Sequence, residues 1–107
     1  MARDLLPDAA ERAVALFAEL VAGNWAGVRR DFDERMLDEV SDEQLATVWT
    51  TVAGTIGRFE RMGEPYVLPA GELTVVNVPL YCEAGEVLGR VGFHRNGSVG
   101  GLFVLPA

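Results

Sequence analysis

The chain has 107 residues, half of them apolar, and a formal net charge of −7 at pH 7; that is the composition of one globular domain able to bury somewhat over ~60% of its unfolded surface, not of a disordered tail. All nine basic residues are arginine, so there is no lysine for a Schiff base or a P-loop, and the acidic balance opposes a phosphate backbone and hence nucleic acid. The sole cysteine, Cys82, has no partner in the chain, which fits a reducing compartment. The opening residues 1–17 carry scattered charges and lack the uninterrupted apolar run of a signal peptide. Nothing approaches the ~20 apolar residues of a membrane span. A cytoplasmic protein without a membrane partner is expected.

Pro7-Asp8 followed by Glu11 is a helix-start signature, with Asp8 as N-cap and Glu11 placed to close a capping box. Ala10, Ala13, Val14, Phe17, Leu20 and Val21 then form an apolar stripe up to Gly23, a natural left-handed stop. Asn24 can cap a second, shorter helix in which Trp25 and Val28 face inward and Arg29 and Arg30 face water. In residues 31–40 the pattern weakens and five of ten residues are acidic. An irregular link that drops Phe32 and Met36 into the core is expected there.

Residues 41–59 carry the clearest helical signal. Ser41 and Gln44 have capping-box spacing, and Leu45, Val48, Trp49, Val52 and Ile56 recur on one face at 3.6 residues per turn. Gly54 and Gly57 are the candidate stops. This helix is expected to run under the sheet, with Trp49 in the core.

From residue 58 onward the period is two. The spacing predicts strands over 58–68, 73–82, 87–95 and 98–105. Gly63 and Pro65 interrupt the first, which marks an edge strand or a bulge. Asn96-Gly97 predicts a type I′ hairpin turn between the last two. It also explains the glycosylation-like Asn96-Gly97-Ser98. Helices followed by an antiparallel meander make an α+β fold, with three N-terminal helices packed on about four strands.

Alternation assigns the faces. Val76, Val78, Leu80 and Cys82, with Val87, Gly89, Val91 and Phe93, should meet the helices. On the last strand Val99, Gly101, Phe103 and Leu105 should do the same, leaving Leu102 and Val104 outside. An outer face carrying Tyr81, Leu88, Leu102 and Val104 is apolar enough to imply a partner, and a homodimer is the expectation.

Three stretches resemble the DUF3887 family, placed within the NTF2-like (cystatin-like) superfamily. They are Phe17 to Asn24, ending in an Ala-Gly-Asn turn; Asp31 to Met36, an Asp-Phe-Asp-x-x-Met segment; and Ser41 to Phe59, which reads Ser-x-x-Gln-Leu-x-x-x-Trp into Gly-x-Phe. An aliphatic closing strand, Gly101-Leu102-Phe103-Val104, completes the likeness. It covers nearly the whole chain, so residues 1–107 are expected to form one such domain, standing alone rather than ahead of a hydrolase domain. The resemblance implies a curved sheet with a pocket between it and the helices. Its motif residues are caps, turns and core positions, which specify fold rather than chemistry.

Such a pocket would be lined by Trp25, Phe32, Trp49, Phe59 and Tyr66 and would take a small apolar ligand, without a cofactor. Asp31 and Asp33 flank Phe32 at its mouth and are the acid/base candidates. His94 falls by parity on the outer face, as a solvated hairpin residue. One histidine and one cysteine do not make a structural zinc site, and no metal is expected. Cys82 reads as a small buried hydrophobe without a basic neighbour. Asp42 and Glu43 in the acidic cluster with Asp38 and Glu39 suit the first turn of a helix. The expected function is a non-enzymatic ligand-binding or dimerisation module. The alternative is an NTF2-like isomerase, cyclase or epoxide-hydrolase-like enzyme with a pocket aspartate as acid or base.

Overall fold

Helix-patterned segments come first along the chain and strand-patterned ones last, and the computed structural model follows that division over the residues it describes, 5–106. The first four residues of the expected signal-free opening, and Ala107, lie outside the described residues. Helices α1 (Ala9–Ala22), α2 (Trp25–Arg29), α3 (Glu34–Glu39) and α4 (Asp42–Ile56) precede β1 (Phe59–Met62), β2 (Tyr66–Ala70), β3 (Leu73–Cys82), β4 (Gly85–Phe93) and β5 (Val99–Pro106). The sheet is antiparallel and unclosed, in the order β1-β3-β4-β5, with β2 also paired to β3. It is a curved five-stranded sheet carrying four helices, an α+β architecture.

Two element counts differ from expectation. The supposed link at residues 31–40 contains α3, because Asp33 caps it by accepting from the Met36 N–H at 2.8 Å. Phe32 and Met36 are buried as expected. The Arg29 guanidinium closes the far end, donating to the carbonyls of Val40 and Leu37 at 3.0 Å each and pairing with Asp42 at 3.3 Å. Arg29 is therefore a clamp between α2, α3 and α4, not a solvated residue. The supposed strand 58–68 is two strands, broken at residues 63–65 and paired to opposite ends of β3.

Leadership among the helices also differs. α1 buries Ala9, Ala13, Leu16, Phe17 and Leu20, whereas Leu45 is the one buried residue of α4. The centre of the sheet is filled by α1, chiefly by Phe17, whose ring lies against the Gly89 backbone. No central room is left for α4, which flanks α1 and α2. Val48 is 44% exposed, and Trp49 is half-buried, edge-on to Phe59 at 6.4 Å between centroids. The Ser41–Gln44 capping box forms and Gly57, at φ 87°, ends the helix. At α1 the box does not form: the Asp8 carboxylate is taken by Arg12 Nε at 2.9 Å.

The β4–β5 hairpin differs most. Asn96 is not at positive φ; only Gly97 is, at 91°. Gly97 N–H donates to the His94 carbonyl at 2.9 Å, and His94 N–H to that of Ser98 at 2.8 Å, the three-residue loop with a left-handed glycine. Asn96 Oδ1 accepts from the Ser98 N–H and hydroxyl, which holds Asn96 out of the type I′ form. Beyond it the register shifts, with Phe93 opposite Val99 but Gly92 opposite Gly101. Gly100 is thus an extra residue, and one extra residue reverses which face every later side chain takes. Leu102 and Val104 pack against the core from the helix side, while Phe103 is 55% exposed on the outside.

Candidate functional site

Because α4 stands to one side and the bulge turns Leu102 and Val104 inward, a groove opens between α4 and β5. Leu20, Val40, Leu45, Val48, Leu102, Phe103, Val104 and Leu105 line it, with Gln44 as its polar residue, around a volume of about 340 Å³. That is the low end of small-molecule sites. The Gln44 carbonyl is committed to the Ser41 N–H at 2.7 Å. The chemistry on offer is therefore burial of an apolar body, with little to orient a polar one.

Polar chemistry gathers at the hairpin end of the sheet. Val99 exchanges backbone hydrogen bonds with Asp31 and Asp33, at 2.7 and 2.9 Å, which carries the start of α3 to the hairpin. His94 Nε2 then lies 2.8 Å from Asp33 Oδ2. A Cβ at Gly100 would fall 2.6 Å from His94 Nε2; the glycine leaves room for the ring. The Met36 N–H, then the His94 ring, hold the Asp33 carboxyl below the usual carboxylate range, with Arg35 adding to them and desolvation opposing. Arg35 Nη2 also donates to the Gly100 carbonyl at 2.6 Å.

A second cleft, of about 350 Å³, lies between α1, α2 and Phe93 and includes Arg12, Glu19, Arg30 and Asp31. Its cations already face carboxylates: Arg12 meets Asp8 at 2.9 Å and Asp31 at 3.9 Å, and Arg30 meets Glu19 at 3.7 Å. Paired in this way, they offer an anion little uncompensated charge.

The sequence-derived ligand set does not converge. Phe32 is buried, Trp25 is half-buried against the core, Trp49 and Phe59 pair with each other, and Tyr66 is 47% exposed on the opposite sheet face. Asp31 and Asp33 are neighbours in the chain but turn to Arg12 and His94 respectively. Of the supposed dimer face, Tyr81 and Leu88 are outside, Tyr81 beneath the Arg61 guanidinium at 4.2 Å from its centroid. Leu102 and Val104 are on the other side, for the reason given by the bulge. Burial, and then Glu60 and Glu83, push the Cys82 thiol up, and it is buried as expected. Among the described residues, no three His, Cys, Asp or Glu side chains converge as metal ligands, and no helix is long and apolar enough to cross a membrane.

The His94–Asp33 contact escaped sequence reasoning because the partners are 61 residues apart and strict alternation puts His94 outside. The available signal was Gly100-Gly101, since paired glycines in a strand mark a bulge or a close approach. Comparison with known proteins gives the same weight to fold over chemistry. Residues 13–102 match the family model described as a protein of unknown function, DUF3887. A solved structure, described as the NMR structure of a protein from Ruminococcus gnavus ATCC 29149, is similar with a TM-score of 0.70 at 8% identity, over 96% of this chain and 94% of that one. No functionally curated protein matches.

Proposed function

The chain belongs to the DUF3887 family, and from that premise we propose that it is a non-enzymatic, cytoplasmic NTF2-like domain that binds a small apolar ligand in the α4–β5 groove. The observation that carries this is Val48 of α4, 44% exposed, lining an open apolar volume together with Leu45, Leu102 and Val104. Large apolar side chains left beside a concavity favour an apolar occupant. A general base working near neutrality needs a raised carboxyl, whereas Asp33 is moved the other way. Titration with a fluorescent apolar probe such as Nile red tests the reading. Val48→Glu, at an exposed position, should weaken binding by at least about tenfold, or ~1.4 kcal/mol. Unchanged affinity, or no saturable binding by the wild type, would refute it.

A second reading draws on the His94–Asp33 contact: a small-molecule enzyme in which Asp33 orients the His94 imidazole as an acid or base. Turnover of a carbonyl or epoxide substrate that is abolished by His94→Gln, with folding intact, would favour it over the binding module.

A further inference from the structure

We infer that two copies of this chain join through the free edge of β5, antiparallel about a two-fold axis at Phe103, to make one continuous sheet. The inference goes beyond the ligand groove and stands on the backbone of β5. One edge of the sheet, made by β1 and β2, is interrupted at residues 63–65, carries Glu60, Arg61 and Glu64, and contains Pro69. Charges, prolines and short broken strands are how edges are kept from pairing. β5, on the other edge, has none of these before its last residue: Val99-Gly-Gly-Leu-Phe-Val-Leu-Pro106 carries no charge in a chain of net −7.

The hydrogen bonds fix which groups are free. His94 N–H donates to the Ser98 carbonyl, so in the alternating antiparallel ladder Gly92, Arg90 and Leu88 turn their backbone toward β5. Their partners Gly101, Phe103 and Leu105 turn theirs toward β4. The N–H and C=O of Leu102 and Val104 therefore point outward. Val99 agrees with this phase, since it spends its outward pair on Asp31 and Asp33.

Rotation about Phe103 makes that edge complementary to itself. Leu102 falls opposite Val104 of the partner subunit, and Val104 opposite Leu102 of the partner subunit, so each pair can exchange both backbone bonds. On the outer face Phe103 meets its own copy in the close, non-hydrogen-bonded position. Gly101 faces Leu105 of the partner subunit, small against large. The paired segment ends where the backbone runs out of donors and acceptors: Pro106 has no N–H, and opposite it the Gly100 carbonyl is taken by Arg35. A second copy satisfies this edge with identical chemistry on both sides, as an isologous interface requires.

The test is native mass spectrometry with light scattering on ligand-free protein at micromolar concentration, comparing wild type with Val104→Pro, Phe103→Glu and Leu88→Glu. Wild type should appear at twice the chain mass. Val104→Pro removes an outward N–H without touching the β4 ladder and should give monomer. Phe103→Glu should also give monomer, by setting like charges on the axis at an exposed position; it carries the test should the proline variant misfold by circular dichroism. Leu88→Glu, on the outer sheet face, and Val48→Glu, in the groove, should remain dimeric, which separates this inference from the ligand reading. Amide exchange at Leu102 and Val104 should slow by about tenfold or more as dimer forms, with Phe103 unchanged. A monomeric wild type, or a dimer that survives both edge variants, overturns the inference. Loss of the dimer in Leu88→Glu alone overturns it too and assigns the interface to the outer face.

Discussion

Replacing Gly89 by alanine sets two effects of opposite sign against each other, and the structure says which wins. Gly89 is in the middle of β4, where alanine would ordinarily help by ~0.5–1 kcal/mol because glycine has more freedom to lose on folding. Its φ is not in the left-handed region, so the backbone tolerates a side chain. A Cβ there, however, would sit 2.7 Å from both Cε1 and Cζ of Phe17 and 3.1 Å from its Cδ1. Phe17 is fully buried and its ring is rigid, so the clash must displace core or sheet. Overpacking of this kind costs ~1–3 kcal/mol. The net expectation is a loss of about 1–2 kcal/mol, with a fall in Tm of ~4 °C or more for each. Urea unfolding of Gly89→Ala, Phe17→Leu and the double variant measures it. The double variant should be more stable than the sum of the singles by ~1 kcal/mol, since the smaller side chain makes room. A stabilised Gly89→Ala, or strict additivity, would refute the placement of Phe17 across the sheet centre.

Gly54 provides the opposite case: it is helical with nothing within 4 Å of a Cβ, so Gly54→Ala should raise stability by ~0.8–1 kcal/mol, read as a higher urea midpoint. Trp49 is half-buried rather than enclosed, so Trp49→Ala should cost less than the ~3–5 kcal/mol of a fully buried aromatic, about 1–3 by the area it covers. Asp33 has a folded pKa below its ordinary 3.8, so its contribution to stability is complete above that pH and lost as pH falls through the folded value. Asp33→Asn should accordingly flatten the acid limb below pH 3.8 in a urea-midpoint series, and an unchanged limb would show the His94 and Met36 contacts to be absent in solution.

Local rules carried a large part of this fold. The capping box at Ser41 and Gln44, the left-handed stop at Gly23, the Asn24 cap and the period-two strands β3 and β4 depend on a few adjacent residues, so spacing alone reveals them. The inward faces of β3 and of β4 followed from alternation because no residue is inserted there. The resemblance to DUF3887 rested on these same caps and turns, which is why it pointed to fold and left chemistry open.

What only the tertiary structure decided depends on competition between distant segments. Two helices had stripes fit for the sheet; α1 occupies it because Phe17 fits against Gly89, and α4 is left beside a groove. Gly100 adds one residue to β5, and since side chains alternate with period two, that insertion exchanges the faces of Leu102, Phe103 and Val104 together. The same insertion clears the space in which His94 reaches Asp33. The sequence by itself determined the elements and their local ends; packing decided which face each presents, because burial of a side chain is settled by what arrives opposite it.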